Sequence, residues 1–413
     1  MTVDASTHLL AVPGYAAQAQ ELGTDLVRLR RAIHREPELG LANPNTQRLV
    51  LESLDGLGLE ITTGRALTSV VAVLRGGRPG PAVILRGDMD ALPIEEETGL
   101  DYAATNGAMH ACGHDLHTAG LVGAARLLAA HREDLPGSVI FMFQPGEEGH
   151  GGARIMLDEG LLDAAGVEPV AAYAIHVAPG PRGVFATRTG TVCAGSAELT
   201  IVVRGRGGHG SQPHQTVDPV PVAAEIVLAL QTVATRQFDA FDPVIISVTR
   251  IETSTEATNV IPETATLRAT VRALSPAAVT RLHEVVPRLA EGIAGAHGAA
   301  AAVTLDFHFP PTVNDAETTT TAISELRTAF GADRVLTVPT PMMGSEDFAF
   351  VLDRVPGTFL GLHASPGDID PATAEFNHSP RVVFDDAVLP DQAAALAVLA
   401  HSRLQQAGRE ATR

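Results

Sequence analysis

The stretch APGPRGVFATRTG, residues 178–190, separates two parts of the chain that have different patterns. Before it, short β-branched runs alternate with longer segments rich in Ala and Leu, which is typical of α/β units around a largely parallel sheet. After it, apolar and polar residues alternate with a period of two in residues 197–205, 243–252 and 264–274. This alternation predicts an antiparallel sheet with one covered face. The Pro/Gly-rich stretch therefore marks a crossing between two domains.

The pattern on each side of this crossing predicts the elements of both domains. Buried strands are predicted at residues 68–76, 81–88, 137–144 and 170–177, and helices at residues 24–37, 117–133 and 151–161. Two further helices, at about 218–236 and 276–297, would cover the antiparallel sheet.

The last part of the chain returns to α/β character and ends in an apolar helix at residues 388–406. We therefore predict an α/β fold with a discontinuous catalytic domain formed by residues 1–187 and 310–413. Its largely parallel sheet would be flanked by helices. Residues 188–309 would form an inserted α+β domain with an antiparallel sheet, and about 120 residues are enough for a core of its own.

Composition excludes several classes of partner. The formal net charge of −19 argues against nucleic acid or an anionic membrane as a partner. The beginning of the chain lacks the features of a signal peptide, and no apolar run is long enough to span a membrane. Two cysteines, Cys112 and Cys193, are too few for a secreted disulfide scaffold. These features predict a cytoplasmic protein.

The segment MHACGHDLHTAG, residues 109–120, contains a cysteine and three histidines. Cys112 and His114 are separated by one residue, so their side chains point the same way in a turn or an extended segment. A thiolate beside an imidazole is typical of a site for zinc or a similar metal. A nucleophilic cysteine with a histidine base, or a buried cysteine before a helix, would give the same pattern. The segment alone leaves these three interpretations open.

Polar residues also follow three of the predicted strands. Glu147 and Glu148 come after one strand, His176 ends another, and Asp88 and Asp90 end a third. Open α/β sheets bind ligands at the carboxyl ends of their strands. One of two adjacent carboxylates can bind a metal while the other moves protons, and an aspartate can orient a ligand histidine. Each feature alone is more often structural, but successive strand ends together predict a site.

Seven segments, in this order, resemble the M20 metallopeptidases. Within that family they are most similar to the amidohydrolases that act on N-acyl amino acids, namely hippurate hydrolases, aminoacylases and plant auxin-conjugate hydrolases. The resemblance covers nearly the whole chain. The segments are residues 85–99, 109–128, 143–163, 205–232, 259–274, 343–350 and 376–386.

The resemblance implies a site for two divalent ions, which could be zinc, manganese, cobalt or nickel. Cys112 would be the ligand that both ions share. The remaining ligands would be His114 and His176 for one ion, and Glu148 and His378 for the other.

The resemblance also implies a reaction. Glu147 would be the general base, His209 in GGHGSQPH would reach the substrate carbonyl, and Asn259 would bind substrate. A homodimer formed through the inserted domain is also implied, because this domain carries the dimer contact in relatives. The expected function is hydrolysis of N-acyl amino acids, for example N-acetyl or N-benzoyl amino acids. The alternatives are a dipeptidase or carboxypeptidase of the same fold, and a binding protein without activity.

Three other residues are interpreted as structural. His110 lies in a Gly/Ala-rich turn, and His117 lies in the first turn of the predicted helix. Cys193 fits a small buried apolar residue.

Overall fold

The computed structural model describes residues 14–410, which form two compact units. The first unit contains residues 14–190, 314–339 and 351–410, and the second contains Thr191–Val313 and Thr340–Phe350. The two crossings lie within four residues of the predicted ones. Residues 340–350 belong to the second unit, although they lie within the segment 310–413 that is predicted for the catalytic domain.

Sixteen strands and nine helices are found in the described residues. The strands are β1 (Glu60–Thr63), β2 (Val70–Arg75), β3 (Arg78–Asp88), β4 (Pro136–Gln144), β5 (Pro169–Ala178), β6 (Phe185–Thr187), β7 (Gly190–Cys193), β8 (Gly195–Arg204), β9 (Gly208–His209), β10 (Val244–Thr253), β11 (Val260–Ile261), β12 (Thr264–Ala273), β13 (Ala300–Phe309), β14 (Thr312–Asn314), β15 (Val335–Thr337) and β16 (Gly357–His363). The helices are α1 (Tyr15–Arg35), α2 (Pro44–Leu54), α3 (His114–Ala130), α4 (Gly152–Asp158), α5 (Pro219–Arg236), α6 (Pro276–Ala296), α7 (Ala316–Phe330), α8 (Ala349–Leu352) and α9 (Leu389–Glu410).

The first unit is built on an eight-stranded mixed sheet with the order β1-β2-β4-β3-β5-β16-β6-β15. Its central strands β4, β3, β5 and β16 are parallel to one another. Strands β1 and β2 continue the sheet in antiparallel orientation on one side. Because the central strands are parallel, their carboxyl ends lie at one edge, and the residues that follow them are brought together there.

Helix α3 lies in the core of the first unit, where it packs on the sheet and against helices α1 and α9. Its side chains are apolar nearly all the way round, and nearly all of its residues are buried. A Cβ atom at Gly123 would lie 2.6 Å from the Cβ of Ala393 in α9 and 2.9 Å from Leu26 in α1. The absence of a side chain at Gly123 therefore permits the close packing of the middle of α3 against α1 and α9.

The second unit has a four-stranded antiparallel sheet with the order β10-β12-β8-β13. The residues of β8 and β12 alternate between buried and partly exposed positions, as the period of two predicts. Helices α5 and α6 pack on this sheet and bury a separate apolar cluster. The side chains of Asp218 and Ser275 cap the amino ends of these helices.

The predicted fold class is confirmed: the protein has a mixed α/β unit with parallel central strands and an α+β unit with an antiparallel sheet. Helix α1 begins at Tyr15, nine residues before the predicted start, and most other elements lie close to their predicted positions. Among the described helices, none combines the length and apolar character needed to cross a bilayer.

Candidate metal centre

The candidate site lies at the carboxyl edge of the parallel strands in the first unit. Strand β3 ends at Asp88, β4 ends at Gln144 just before the two glutamates, and β5 carries His176 near its end. The loop that precedes α3 adds Cys112, and the loop between β16 and α9 adds His378. The structure thus brings together the five residues that the sequence predicts as metal ligands.

The thiol of Cys112 is at the centre of this cluster. Its Sγ lies 3.4 Å from Nε2 of His176 and 3.3 Å from Nε2 of His378. Two groups of donor atoms share it, and within each group the atoms lie within 4.8 Å of one another. The first group is Cys112, His114 and His176, and the second is Cys112, Glu148 and His378. A thiolate flanked by nitrogen and oxygen donors fits a divalent metal of borderline softness.

Hydrogen bonds to the main chain of the two glutamates hold them in place. The carboxylate of Asp90 accepts the backbone N–H of Glu147 at 2.9 Å and that of Glu148 at 3.1 Å. The loop closes where the N–H of Gly152 donates to Gly146 O, and a Cβ at Gly152 would lie only 1.8 Å from Pro145 O. Asp90 and the closed loop therefore fix the backbone from which both carboxylates project.

The orientation of His114 leaves one ring nitrogen available for a metal. Its Nδ1–H donates to the carbonyl oxygen of Asp90 at 2.8 Å. In the neutral form that binds a metal, the ring has its lone pair on Nε2, which is buried and has no hydrogen-bond partner within residues 14–410. A buried nitrogen acceptor directed at a thiol and carboxylates is what a metal ligand requires. His114 therefore fits the predicted role.

A second layer of polar residues lies behind His176. Asp88 accepts hydrogen bonds from Arg86 and from Nδ1 of His117, each at 2.5 Å. Nε2 of His117 accepts the N–H of Val177 at 2.7 Å, and its ring centroid lies 4.5 Å from that of His176. Burial lowers the pKa of His117 to about 4, so the ring is neutral, as these contacts require. His117 thus packs directly against a predicted ligand, which its position in the sequence does not reveal.

His378 has an unusual main-chain conformation. Its φ is 72°, and it is the only residue other than glycine with a positive φ in the described part of the chain. Its N–H donates to Ala111 O at 2.9 Å, and its Nε2 lies 3.2 Å from Oε1 of Glu148. Such conformations persist only where the surroundings enforce them, and they are frequent at functional sites.

The charges of this cluster are suited to a cation. Burial alone raises the pKa of the Cys112 thiol, but His176, His114 and His378 together lower it well below its usual range. Hydrogen bonds to Cys112 and Glu148 raise the pKa of His378 to about 10. Without a metal, the histidines must therefore supply the positive charge that stabilises the thiolate.

The site contains a residue that the sequence did not single out. The side-chain amide of Asn377 donates to the carbonyl oxygens of Cys112, at 3.3 Å, and Val177, at 3.2 Å. In the sequence, only the position of Asn377 directly before His378 could have indicated that it belongs to the site. Nothing in the sequence shows that the chain between β16 and α9 returns to Cys112 and to the end of β5.

His209 and Asn259 belong to the second unit. The short strands β9 and β11 pair there, with His209 opposite Val260, and the N–H of Gly210 donates to Asn259 O at 2.8 Å. The structure therefore places these two residues beside each other. Nδ1 of His209 accepts the backbone N–H of Ser211 at 3.2 Å, and its ring is exposed.

The shared donor cluster and the acidic pair at the edge of a parallel sheet are the arrangement expected of a metal-dependent hydrolase. Residues 84–402 match the model of peptidase family M20/M25/M40, and the chain belongs to this family. The predicted membership is confirmed.

Proteins of known name or structure are similar over nearly their whole length. Thermostable carboxypeptidase 1 of Saccharolobus solfataricus is 39% identical, over 92% of this chain and 96% of its own. N-acetylcysteine deacetylase of Bacillus subtilis is 36% identical, over 89% of this chain and 93% of its own. The solved structure of the Bacillus subtilis YXEP protein, a dinuclear metal-binding peptidase of the M20 family, has a TM-score of 0.80 and 32% identity. The match covers 94% of this chain and 99% of that one.

Proposed function

We propose that this protein hydrolyses the amide bond of N-acyl amino acids to a carboxylic acid and a free amino acid, with two divalent ions bound. The observation that carries the proposal is the thiol of Cys112, which two groups of nitrogen and oxygen donors share. His114 and His176 would complete the first ion site, and Glu148 and His378 the second. The name of the Bacillus subtilis deacetylase, an enzyme of N-acetylcysteine, supports this substrate class.

The chain's own residues would divide the reaction between them. Two bound ions supply a water of lowered pKa and polarise the substrate carbonyl. Glu147, which is only 6% exposed, would take the proton of that water and pass it to the leaving amine. Asp90 would hold Glu147 in position through the backbone N–H of that residue. Asp88 and His117 would keep His176 in its ligand orientation.

The second unit would contribute to substrate binding. His209 would donate a hydrogen bond to the carbonyl oxygen of the substrate as negative charge develops there. Asn259, its neighbour across the β9–β11 pair, would contact the substrate. We also propose a homodimer formed through this unit, which sedimentation of the purified protein would test, and a cytoplasmic location.

A carboxypeptidase activity is the second candidate, because thermostable carboxypeptidase 1 is 39% identical over 92% of this chain. The two substrate classes share the same leaving group, an amino acid with a free carboxylate. They differ on the acyl side, where one carries a simple acyl group and the other a peptide. The acyl side of the substrate is therefore what an assay has to vary.

The test is hydrolysis of a matched panel in which the leaving amino acid is constant. N-acetyl, N-benzoyl and longer N-acyl derivatives are compared with dipeptides, and the released amine is measured. The assay is repeated after chelation and after addition of zinc, manganese, cobalt or nickel. We expect chelator-sensitive release from blocked amino acids. Faster release from peptides would favour the carboxypeptidase activity over hydrolysis of N-acyl amino acids. Release that is insensitive to chelators would instead support Cys112 as a nucleophile.

A further inference from the structure

We infer that Asn377 is a positioning residue of the metal centre, an inference that rests on the proposed two-ion site. Three separate segments supply the ligands near it: the loop with Cys112, the end of β5 with His176, and the loop with His378. Nδ2 of Asn377 lies 3.3 Å from Cys112 O and 3.2 Å from Val177 O. One amide group therefore links all three segments.

The main chain adds a second link at the same place. The N–H of His378 donates to Ala111 O at 2.9 Å, so two consecutive residues, Asn377 and His378, are bonded to the loop of Cys112. Nδ2 of Asn377 also lies 3.7 Å from Cys112 Sγ. The positive edge of the amide therefore faces the sulfur that both ions would share, where it stabilises the thiolate form.

The side-chain hydrogen bonds of Asn377 described above are donated by Nδ2. Oδ1 of Asn377 is buried and has no hydrogen-bond partner among the described residues. The opposite orientation of the amide would place Oδ1 against two carbonyl oxygens and is therefore unfavourable. A residue that accepts hydrogen bonds but does not donate them cannot replace asparagine here.

This geometry predicts which ion depends on Asn377. Without its hydrogen bonds, the loop of His378 loses its links to Cys112 O and Val177 O. It keeps the main-chain bond to Ala111 O and the contact of His378 Nε2 with Cys112 Sγ. The ion bound by Cys112, Glu148 and His378 should then bind more weakly. Loss of a residue that orients metal ligands commonly lowers metal affinity about 10–100-fold. The ion bound by His114 and His176 should be affected less.

The experiment is a titration of the metal-free, full-length protein with Co²⁺, using Asn377→Leu and Asn377→Asp. Asn377→Asp keeps the size of the side chain but removes the N–H donors, so it remains informative if Asn377→Leu does not fold. The readouts are the two binding constants, the d–d spectrum and the thiolate-to-cobalt charge-transfer band. We expect about 10–100-fold weaker binding of one Co²⁺ and an altered charge-transfer band.

Asn314 offers a matched control in the same unit. Its Nδ2 also donates to several acceptors, among them Arg188 O at 2.9 Å and Phe359 O at 3.1 Å, but it contacts no predicted ligand. Asn314→Leu should destabilise the fold in urea and leave Co²⁺ binding and the charge-transfer band unchanged.

Several outcomes would overturn the inference. These are wild-type affinity and spectrum in both Asn377 variants, the same spectral change in Asn314→Leu, or binding of a single Co²⁺ by the wild-type protein. If the wild-type protein binds two Co²⁺ ions but releases no amino acid from the panel, the proposed substrate class fails. The role of Asn377 is then still decided by the binding constants.

Discussion

Two groups of charged residues, each with buried members, meet at the peptide bond between His114 and Asp115, and their charges are balanced in different ways. On one side, the Arg30 guanidinium donates to Asp115 at 2.6 Å, and His34 lies 2.7 Å from the same carboxylate. Arg30 is only 1% exposed and also binds Asp386 at 3.0 Å. We call this the arginine cluster. A permanent cation of the chain itself balances its carboxylates.

The five predicted metal ligands form the other group, which contains no arginine or lysine. Nε2 of His114 is buried without a hydrogen bond among the described residues, although it lies among acidic and basic neighbours, and Oε1 of Glu148 lies 3.2 Å from Nε2 of His378. A buried charge is tolerated when it is paired or when it binds a metal. The arginine cluster thus contains a permanent cation of its own, whereas the carboxylate and thiolate of the ligand group would be balanced by the proposed metal ions.

Replacing Glu147 should produce the largest effect and separate catalysis from metal binding. Glu147→Gln removes the proposed proton carrier but leaves the five predicted ligands unchanged. We expect kcat to fall by about 10²–10⁴-fold. Steady-state kinetics and elemental analysis of the same preparation check this. Loss of metal from the variant would show that Glu147 is itself a ligand.

Breaking the arginine cluster should reduce stability without changing the metal sites. Arg30→Met removes the guanidinium that pairs with the buried carboxylate of Asp115, and loss of one partner of a buried pair typically costs about 3–5 kcal/mol of unfolding free energy. Urea unfolding measures this cost. Arg28→Met is the control, because Arg28 lies on the same helix and pairs with Asp25 in an exposed position. Its loss should cost about 1 kcal/mol or less. Equal effects of the two variants would contradict the comparison.

Removing metal should affect the ligand group alone. At a free metal concentration of 100 times the dissociation constant, each ion stabilises the fold by about 2.7 kcal/mol. Chelation should therefore lower the unfolding midpoint of the wild-type protein and that of Arg30→Met by similar amounts. Cys112→Ser should abolish most of this dependence, whereas Cys193→Ser should keep it. A chelation effect of zero on the wild-type protein would refute the proposed ions.

The smallest expected effect is a pH dependence within the arginine cluster. Burial alone lowers the pKa of His34, but Asp115 and Glu96 outweigh burial and raise it. A raised pKa stabilises the fold fully below the unfolded value of about 6.5, and this stabilisation is lost as the pH rises through the folded value. The difference in stability between wild type and His34→Gln, measured without metal, should therefore shrink as the pH rises above 6.5. A stability difference that grows as the pH rises would contradict this prediction.

Local patterns were sufficient to predict much of this molecule. The period of two in β8 and β12, and the polar residues after β3, β4 and β5, are properties of short segments. The resemblance to the M20 family then predicted which residues belong to one site, and the structure brings the five ligands together.

Other features depend on contacts between distant parts of the chain. Arg30 and Asp115 are 85 positions apart, and nothing near Arg30 in the sequence distinguishes it from the exposed Arg28. Asn377 contacts Cys112 across 265 positions. Side chains of the same type acquire different roles only when the fold decides which of them is buried and against what.

Two independent requirements restrict which amino acid can occupy position 378: the positive φ of its backbone and the proposed role of its side chain as a metal ligand. In a library of all substitutions at this position, selection for folding alone would favour Gly, Asn, Asp and His, which tolerate a positive φ. Selection for metal binding alone would favour His, Cys, Asp and Glu. Histidine and aspartate are the two residues found in both sets. Any natural or designed exchange of this ligand should therefore lead first to aspartate, with an oxygen donor in place of nitrogen.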